Sequence, residues 1–341
     1  MNICFIINAW ETLEPDTNSC LRIIHESVRR GHVVGILYAK NLTVRNNVVS
    51  GFINIIEQKN SFSENIPSFY KKVVFKSKLL PLKGFDAIYL SKNPPLNWIM
   101  VNFLDSLKKE LFIMNDIDGI RKANNKLYTV SLEDSNQFIP ETHVSKSIKY
   151  LMDTIEDSKK SKWILKPLMG FGGQGVIVLE KKAMQNIRSL LEFYVDGGER
   201  KNYVILQEYI HGAEEGDVRV LLLGGEPIGA MRRIPAQGEA RSNIKSGGKA
   251  VRHTISKKEK MLCNHIGPKL VNDGIFFAGL DLIQEKLIEV NVLSPGGITA
   301  INRFNRVKLQ RKILDHIENY FRQVDISMRE KAKFRKLVMD A

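Results

Sequence analysis

The stretch Gly279-Leu280-Asp281-Leu282-Ile283-Gln284-Glu285-Lys286-Leu287-Ile288-Glu289-Val290-Asn291 constrains the fold more than any other part of the chain. Two short apolar runs flank a polar turn, the pattern of a β-hairpin. With a three-residue turn at Gln284-Glu285-Lys286, Ile283 lies opposite Leu287 and Asp281 opposite Glu289. Glu289 and Asn291 are two apart and share one face of their strand. Carboxylates directly opposite each other repel. A hard divalent cation such as Mg²⁺, which takes carboxylate and amide oxygens, removes that conflict. The alternative is a solvent-facing hairpin edge with ordinary polar alternation. On the metal reading, Asp281→Asn, Glu289→Gln and Asn291→Ala each lower turnover and leave the melting of ligand-free protein unchanged or raised, because repulsion is relieved.

A chain of 341 residues has room for two or three domains. Its 43% apolar and 26% charged residues are globular values. No apolar run approaches the roughly 20 residues of a membrane span. Ile3–Ile7 is too short for a signal peptide and lacks a basic leader, so it reads as a first strand. Cys4, Cys20 and Cys263 have no paired spacing, which argues against a disulfide framework or a zinc site and for a reducing cytoplasm. The formal net charge of +14 is compatible with nucleic acid or with an anionic small substrate drawn in by a positive field. The basic residues are dispersed and no basic–aromatic platform accompanies them. A small substrate is therefore expected, with no nucleic-acid or membrane partner. A non-catalytic, basic nucleic-acid-binding module remains the alternative from another class.

The first ~115 residues alternate strand and helix: strands at Ile3–Ile7, Val33–Ala39, Ala87–Leu90 and Leu111–Met114, helices at Thr17–Arg30 and near Leu96–Lys109. This is an open α/β layer, in which ligands sit at strand C-terminal ends. The segment 41–80 is polar and mixed and yields no placement. From Trp163 on, strands arrive in hairpins (Trp163–Lys166, Val176–Leu179, Val204–Gln207, Arg219–Leu223), an α+β texture. Arg322–Ala341 reads as a charged amphipathic helix.

Lys166-Pro167-Leu168-Met169-Gly170-Phe171-Gly172-Gly173-Gln174-Gly175-Val176 contains G-x-G-x-x-G. The dinucleotide fingerprint must open a helix, and here Val176-Ile177-Val178-Leu179 is a strand run. What remains is a glycine-rich turn between strands, whose backbone N–H groups can form an anion nest, with Lys166 as a point charge beside it. A flexible hairpin loop is the plainer alternative. Gln207-Glu208-Tyr209-Ile210 ends a strand whose exposed backbone can pair with an adenine edge. Asp217 suits a ribose hydroxyl, and Arg219 an anionic group. Ile234–Lys249 is nearly devoid of apolar residues: either a solvated loop or a mobile basic lid, open to trypsin at Arg241 or Lys245 until ligands close it.

With these pieces in order, the chain resembles the bacterial glutathione synthetases of the ATP-grasp superfamily from about Met1 to Tyr320. The resemblance is carried by Ile164-Leu165-Lys166-Pro167-Leu168, Asp217-Val218-Arg219-Val220, Gly225-Glu226-Pro227, Arg233-Ile234-Pro235, Gly279-Leu280-Asp281 and Glu289-Val290-Asn291-Val292-Leu293-Ser294-Pro295. It implies an ATP-grasp fold of α/β and α+β parts behind an N-terminal open α/β (pre-ATP-grasp) domain. The expected divisions are a substrate-side domain (1–120), a lid subdomain with the glycine-rich loop (121–200), a C-terminal subdomain with magnesium and substrate sites (201–320) and a charged helical tail (321–341). ATP would be held by Lys126, Lys166, Gly170, Gly172, Gly173, Gln174, Gly175, Gln207, Glu208, Tyr209, Ile210 and Asp217. Asp281, Glu289 and Asn291 would hold Mg²⁺, and Arg219 and Arg233 would act on the acyl phosphate. Asn8, Asn93, Arg241, Ser294, Gly296 and Gly297 would line the substrate side. The implied reaction joins a small anionic peptide-like acyl donor to an amine acceptor, with γ-glutamylcysteine and glycine favoured and another carboxylate and amine as the alternative. A homo-oligomer, dimer or tetramer, is expected. Departures from the family pattern fall on the substrate side: Asn8 and Asn93 stand where the family carries Asp, and Gly296-Gly297 follow Ser294-Pro295 where a Thr is usual.

Overall fold

The computed structural model describes residues 1–57, 63–93, 95–132, 137–168, 170, 173–197, 202–236 and 247–339, with only the backbone path for 325 and 328–339. Among the described residues the chain forms two compact units. One comprises Met1–Ile120, Gly274–Phe277 and Leu293–Ala341, the other Arg121–Asp273 and Ala278–Val292.

The first unit is built on strands β1 (Asn2–Ile7), β2 (Val33–Tyr38), β3 (Leu42–Arg45), β4 (Val48–Ile56), β5 (Phe75–Pro81), β6 (Ala87–Ser91) and β7 (Phe112–Met114). They run in the order β3-β4-β2-β1-β6-β7, and β5 pairs with β4. β2, β1, β6 and β7 are parallel neighbours. Ile3 to Ile7 are all buried, as befits a parallel strand covered on both faces. Helix Ser19–Arg29 is capped by the Asn18 side chain, which accepts from the Leu21 N–H at 2.8 Å. Ile6, Leu37, Ile53, Ile88, Met100 and Leu104 share one core.

Segment 41–80, which gave no reading from sequence, holds antiparallel β3, β4 and β5. Their outward residues break the apolar pattern: Val44 and Phe52 are exposed, and Lys76 and Lys78 lie on β5. The C-terminal charged helix starts earlier than expected, spanning Leu309–Met339, and residues from Leu293 onward belong to this first unit. Buried Leu309, Ile313, Leu314 and Ile317 tie the helix down. Arg30 also donates to Asp315 and Glu318.

The second unit contains two antiparallel sheets. One orders β10 (Ile177–Glu180), β9 (Lys162–Pro167), β11 (Val204–Glu208) and β8 (Thr142–Ser145). Its far face packs Trp163, Leu165, Leu179 and Leu206 against Leu151 and Ile155 of helix Ile148–Asp157 and Ile187 and Leu191 of helix Met184–Asp196. The other orders β14 (Lys249–Arg252), β13 (Glu226–Ile234), β12 (Asp217–Leu223), β15 (Phe277–Ile283) and β16 (Lys286–Asn291).

The β15–β16 hairpin corrects one expectation and keeps another. Its turn has two residues, Gln284 and Glu285, at φ 46° and 64°, so Ile283 pairs with Lys286 and not with Leu287. Two positive φ values suit the twist of a tight hairpin. An irregularity between Asp281 and Leu282 then shifts the register by one residue, and Asp281 does lie opposite Glu289. The bulge absorbs the residue that the shorter turn leaves over.

Candidate active site

Two groups of the expected residues emerge, one in each unit. In the first unit, Asn8 follows the C-terminal end of β1, and Asn93 follows that of its parallel neighbour β6, where Ile7 pairs with Ser91. Ser294 Oγ donates to Asn93 Oδ1 at 3.2 Å. Gly296 is exposed, and Gly297, at φ 122°, precedes helix Ile298–Asn305. Arg241 lies outside the described residues, as do Gly172 and lid residues 237–246.

In the second unit, the glycine-rich segment links antiparallel β9 and β10, strand to strand. Gly170, Gly173 and Gly175 have φ values of 150°, 72° and 70°, which suit glycine. Gln174 is exposed between them. Lys126 Nζ donates to the Gly170 carbonyl at 2.8 Å and lies 3.9 Å from Glu289 Oε1. Lys166, on β9, is buried and donates to Gln207 Oε1 at 2.8 Å.

Burial lowers the Lys166 pKa to about 8; nearby Glu289 opposes this and Lys126 adds to it. Burial also lowers that of Lys126, against the pull of Glu289. Burial and the Asp281 carboxylate push Glu289 upward against both lysines. Lys126 from a 3-10 turn, Lys166 from one sheet and Glu289 from the other are thus held in one electrostatic field, each discouraged by burial from carrying its charge alone.

The carboxylate conflict predicted at Asp281 is resolved by arginine. Arg219 donates to Asp281 through Nε and also through an Nη atom at 2.7 Å, while Arg233 reaches the same carboxylate at 3.0 Å. Arg233 sits directly opposite Asp217 across β12–β13 and donates to it through Nε at 2.6 Å. Burial opposes the charge on Asp281, but the two guanidiniums outweigh it and hold the pKa at about 2. Burial likewise opposes charge on Arg233, yet Asp281 and Asp217 hold its pKa above the usual guanidinium value. Asn291 Nδ2 donates to Asp281 Oδ2 at 3.2 Å. Two of the residues assigned to the nucleotide and the metal are therefore engaged with the two assigned to the acyl phosphate.

Gly216 makes this quartet possible. At φ 102°, it brings its backbone so near β13 that a Cβ would lie 1.9 Å from the Arg233 carbonyl oxygen. Gly216→Ala is expected to cost roughly 2–3 kcal/mol through strain and forced displacement of β13. Chemical denaturation of parent and variant measures it.

Gln207 and Glu208 end β11 on opposite faces. Glu208 pairs with Trp163 on the helix-covered side; its carboxylate accepts from the Glu141 N–H at 3.2 Å, and its own N–H donates to the Glu141 carbonyl. The Ile210 carbonyl accepts from Ala213 N–H, and Tyr209 Oη donates to Glu214 at 2.8 Å. Sequence reading missed Tyr128 and Asp273. Tyr128 Oη donates to Asp273 at 2.8 Å and Lys122 Nζ donates to it at 2.9 Å, anchoring the turn that carries Lys126. Their 145-residue separation leaves no local signal. Among the described residues no cluster of three His, Cys, Asp or Glu side chains stands ready for a metal. The donor set near Glu289 is two carboxylates and an amide.

Solved structures with this fold include a D-cycloserine synthetase (TM-score 0.63, 12% identity, covering 92% of this chain and 99% of that one). Another is the D-alanine–D-alanine ligase of Coxiella burnetii (TM-score 0.57, 10% identity, covering 98% and 99%). These neighbours share the fold, and with the family match to residues 125–306 it is ATP-grasp and the protein class is the ATP-dependent carboxylate–amine ligases. Residues 1–121 match the prokaryotic glutathione synthetase N-terminal domain, and residues 125–306 match the ATP-grasp domain of the same enzymes. A glutathione synthetase of Gloeobacter violaceus is 31% identical over 331 residues, covering 94% of this chain and 98% of the relative. One of Synechocystis sp. is 31% identical over 340 residues, covering 94% and 100%. The chain belongs to the prokaryotic glutathione synthetase family.

Proposed function

We propose that this chain joins γ-glutamylcysteine to glycine in the cytoplasm, at the expense of ATP and through an acyl phosphate. A donor carboxylate oxygen attacks the γ-phosphorus and ADP leaves. The glycine nitrogen then attacks the acyl carbon, phosphate leaves, and the amine proton is lost to solvent. The observation that carries this reading is the grouping of Lys126, on its 3-10 turn, with Lys166 and Glu289 from the two sheets of one unit, in a chain that matches the family over residues 1–121 and 125–306. Lys126 and Lys166 would neutralise phosphate oxygens and hold the reacting groups in place. Lys166 would be kept from water by its strand and Gln207. Arg219 and Arg233 carry forked donors suited to carboxylate and phosphoryl oxygens.

The residues present fit magnesium. Glu289 and the Asn291 amide oxygen are hard donors, burial leaves Glu289 short of compensating positive charge, and Asp281, engaged by Arg219 and Arg233, would join them only by giving up an arginine contact. Bound there, Mg²⁺ would neutralise phosphate charge.

ADP release in the presence of γ-glutamylcysteine plus glycine tests the reaction, and sedimentation tests the expected dimer or tetramer. Asn8 and Asn93 bear on the donor: each lacks the negative charge that would pair with the γ-glutamyl ammonium. The expected result is faster turnover with γ-glutamylcysteine than with its glutaryl analogue, which lacks that group. An analogue that is equal or better replaces the glutathione assignment with a ligase for another carboxylate.

A further inference from the structure

We propose that Thr142 is a positioning residue: its hydroxyl dictates which way round the Gln207 amide stands and, through that amide, where the Lys166 ammonium is held. The proposal rests on the reading of Lys166 as a contact to ATP phosphates. The hydrogen-bond chain begins at the Pro140 carbonyl, which can only accept. Thr142 Oγ1 donates to it at 2.7 Å. A hydroxyl has one proton, so toward Gln207 the same oxygen can only accept. Gln207 Nε2 donates to it at 2.8 Å. The amide oxygen must then point the other way, and Oε1 accepts from Lys166 Nζ at 2.8 Å. A reversed amide would set its NH₂ against the ammonium and its oxygen against a hydroxyl with no proton to give.

The sheet supplies the placement. Thr142 and Gln207 are directly opposite in β8 and β11. Lys166 is opposite Ile205 and Gln207 opposite Ile164, so the lysine and amide form a same-face diagonal pair within reach of long side chains. Lys166 and Gln207 are only 4% and 3% exposed. Neither can readily exchange a lost partner for water, and an unmet buried polar group is costly. Lys126 and Glu289 are the charged neighbours that act on the ammonium; neither fixes its direction as the amide does. With the hydroxyl gone, Gln207 Nε2 loses its acceptor, the amide turns, and the ammonium loses its fixed anchor.

The test measures ATP–Mg²⁺ affinity by calorimetry, with KM for ATP and for the acyl donor. Thr142→Val, which keeps the shape, is expected to weaken ATP binding about five- to tenfold and to raise KM for ATP while leaving KM for the donor unchanged. Thr142→Ser, which keeps the hydroxyl, is expected to bind ATP like the parent. A residue that merely holds β8 would lower the melting temperature without selecting ATP over the donor. On a Lys166→Met background the valine is expected to add no further loss, because both act through one group. If the valine variant does not fold, Thr142→Cys, of similar volume and weak in hydrogen bonding, carries the same expectation. Parent-like ATP affinity in the Val or Cys variant, or an additive double variant, overturns the positioning role. Parent-like affinity in Lys166→Met overturns the nucleotide reading of Lys166 instead, and the proposal falls with it.

Discussion

Asp281→Asn is expected to destabilise the ligand-free protein by about 3–5 kcal/mol, since removing one partner from a buried ion pair leaves uncompensated charge behind. This reverses the expectation drawn from the hairpin alone. Read by itself, the hairpin sets Asp281 against Glu289, and losing one negative charge should help. In the folded chain Asp281 is 6% exposed and accepts from both Arg219 and Arg233, so its charge is required there. An amide can accept from one guanidinium group but cannot neutralise either. Melting is expected to fall by on the order of 10 °C. Glu289→Gln is expected to behave oppositely, because burial already disfavours the charge on Glu289: apo melting unchanged or higher, with magnesium-dependent ATP binding weakened. Thermal unfolding of the two variants without ligand decides the matter. Equal destabilisation of both would mean that the arginine pairing does not carry Asp281.

Lys166→Met is expected to lower ATP affinity on the order of a hundredfold while leaving the apo protein as stable or more so. The lysine is almost fully buried, and its pKa falls from the ordinary 10.5 to about 8. Such a shift corresponds to a penalty of about 3 kcal/mol on the charged form, partly offset in the variant by the unpaired Gln207 carbonyl oxygen. The folded pKa lies below the unfolded one, so the unfolded chain binds more protons between pH 8 and 10.5. The penalty is present in full below pH 8 and is removed as pH rises through that window. Relative to Lys166→Met, parent stability is therefore expected to rise from pH 8 to 10.5. ATP–Mg²⁺ affinity is expected to move the other way. Phosphate needs the ammonium, so parent affinity falls as pH climbs above about 8, and the methionine variant lacks that component. Calorimetric titrations and urea unfolding across this range read both effects. A parent and variant with the same pH dependence would remove Lys166 from the phosphate site.

The sequence alone was enough for features set by near neighbours. Alternation and turn chemistry brought Asp281 opposite Glu289, even though the turn is one residue shorter than it reads, because the bulge restores the pairing. A β-run after the glycines excluded the helix-opening fingerprint, and β10 follows there. The resemblance, not spacing, assigned Lys126 and Lys166 to ATP phosphates and the hairpin to magnesium, and the approach of Lys126 to Glu289 could not be read locally, since no local pattern joins segments so far apart.

Tertiary structure alone decided the charge partners and the faces. Arg219 meets Asp281 across 62 residues because β12 is laid beside β15. Glu208 turns to the helix-covered side because a strand alternates its faces and Gln207 takes the lysine side. Strands β3 to β5 were opaque because Val44 and Phe52 sit exposed while neighbouring Ile53 is buried, so apolar residues fall on both faces and no clean alternation shows. The chain's return to the first unit after Leu293 was equally hidden, as nothing local tells a helix which core will receive its apolar stripe. Propensity and register are short-range properties and are written in order along the chain. The neutralisation of a buried carboxylate depends on which distant strand becomes its neighbour, and only the packed sheet supplies that.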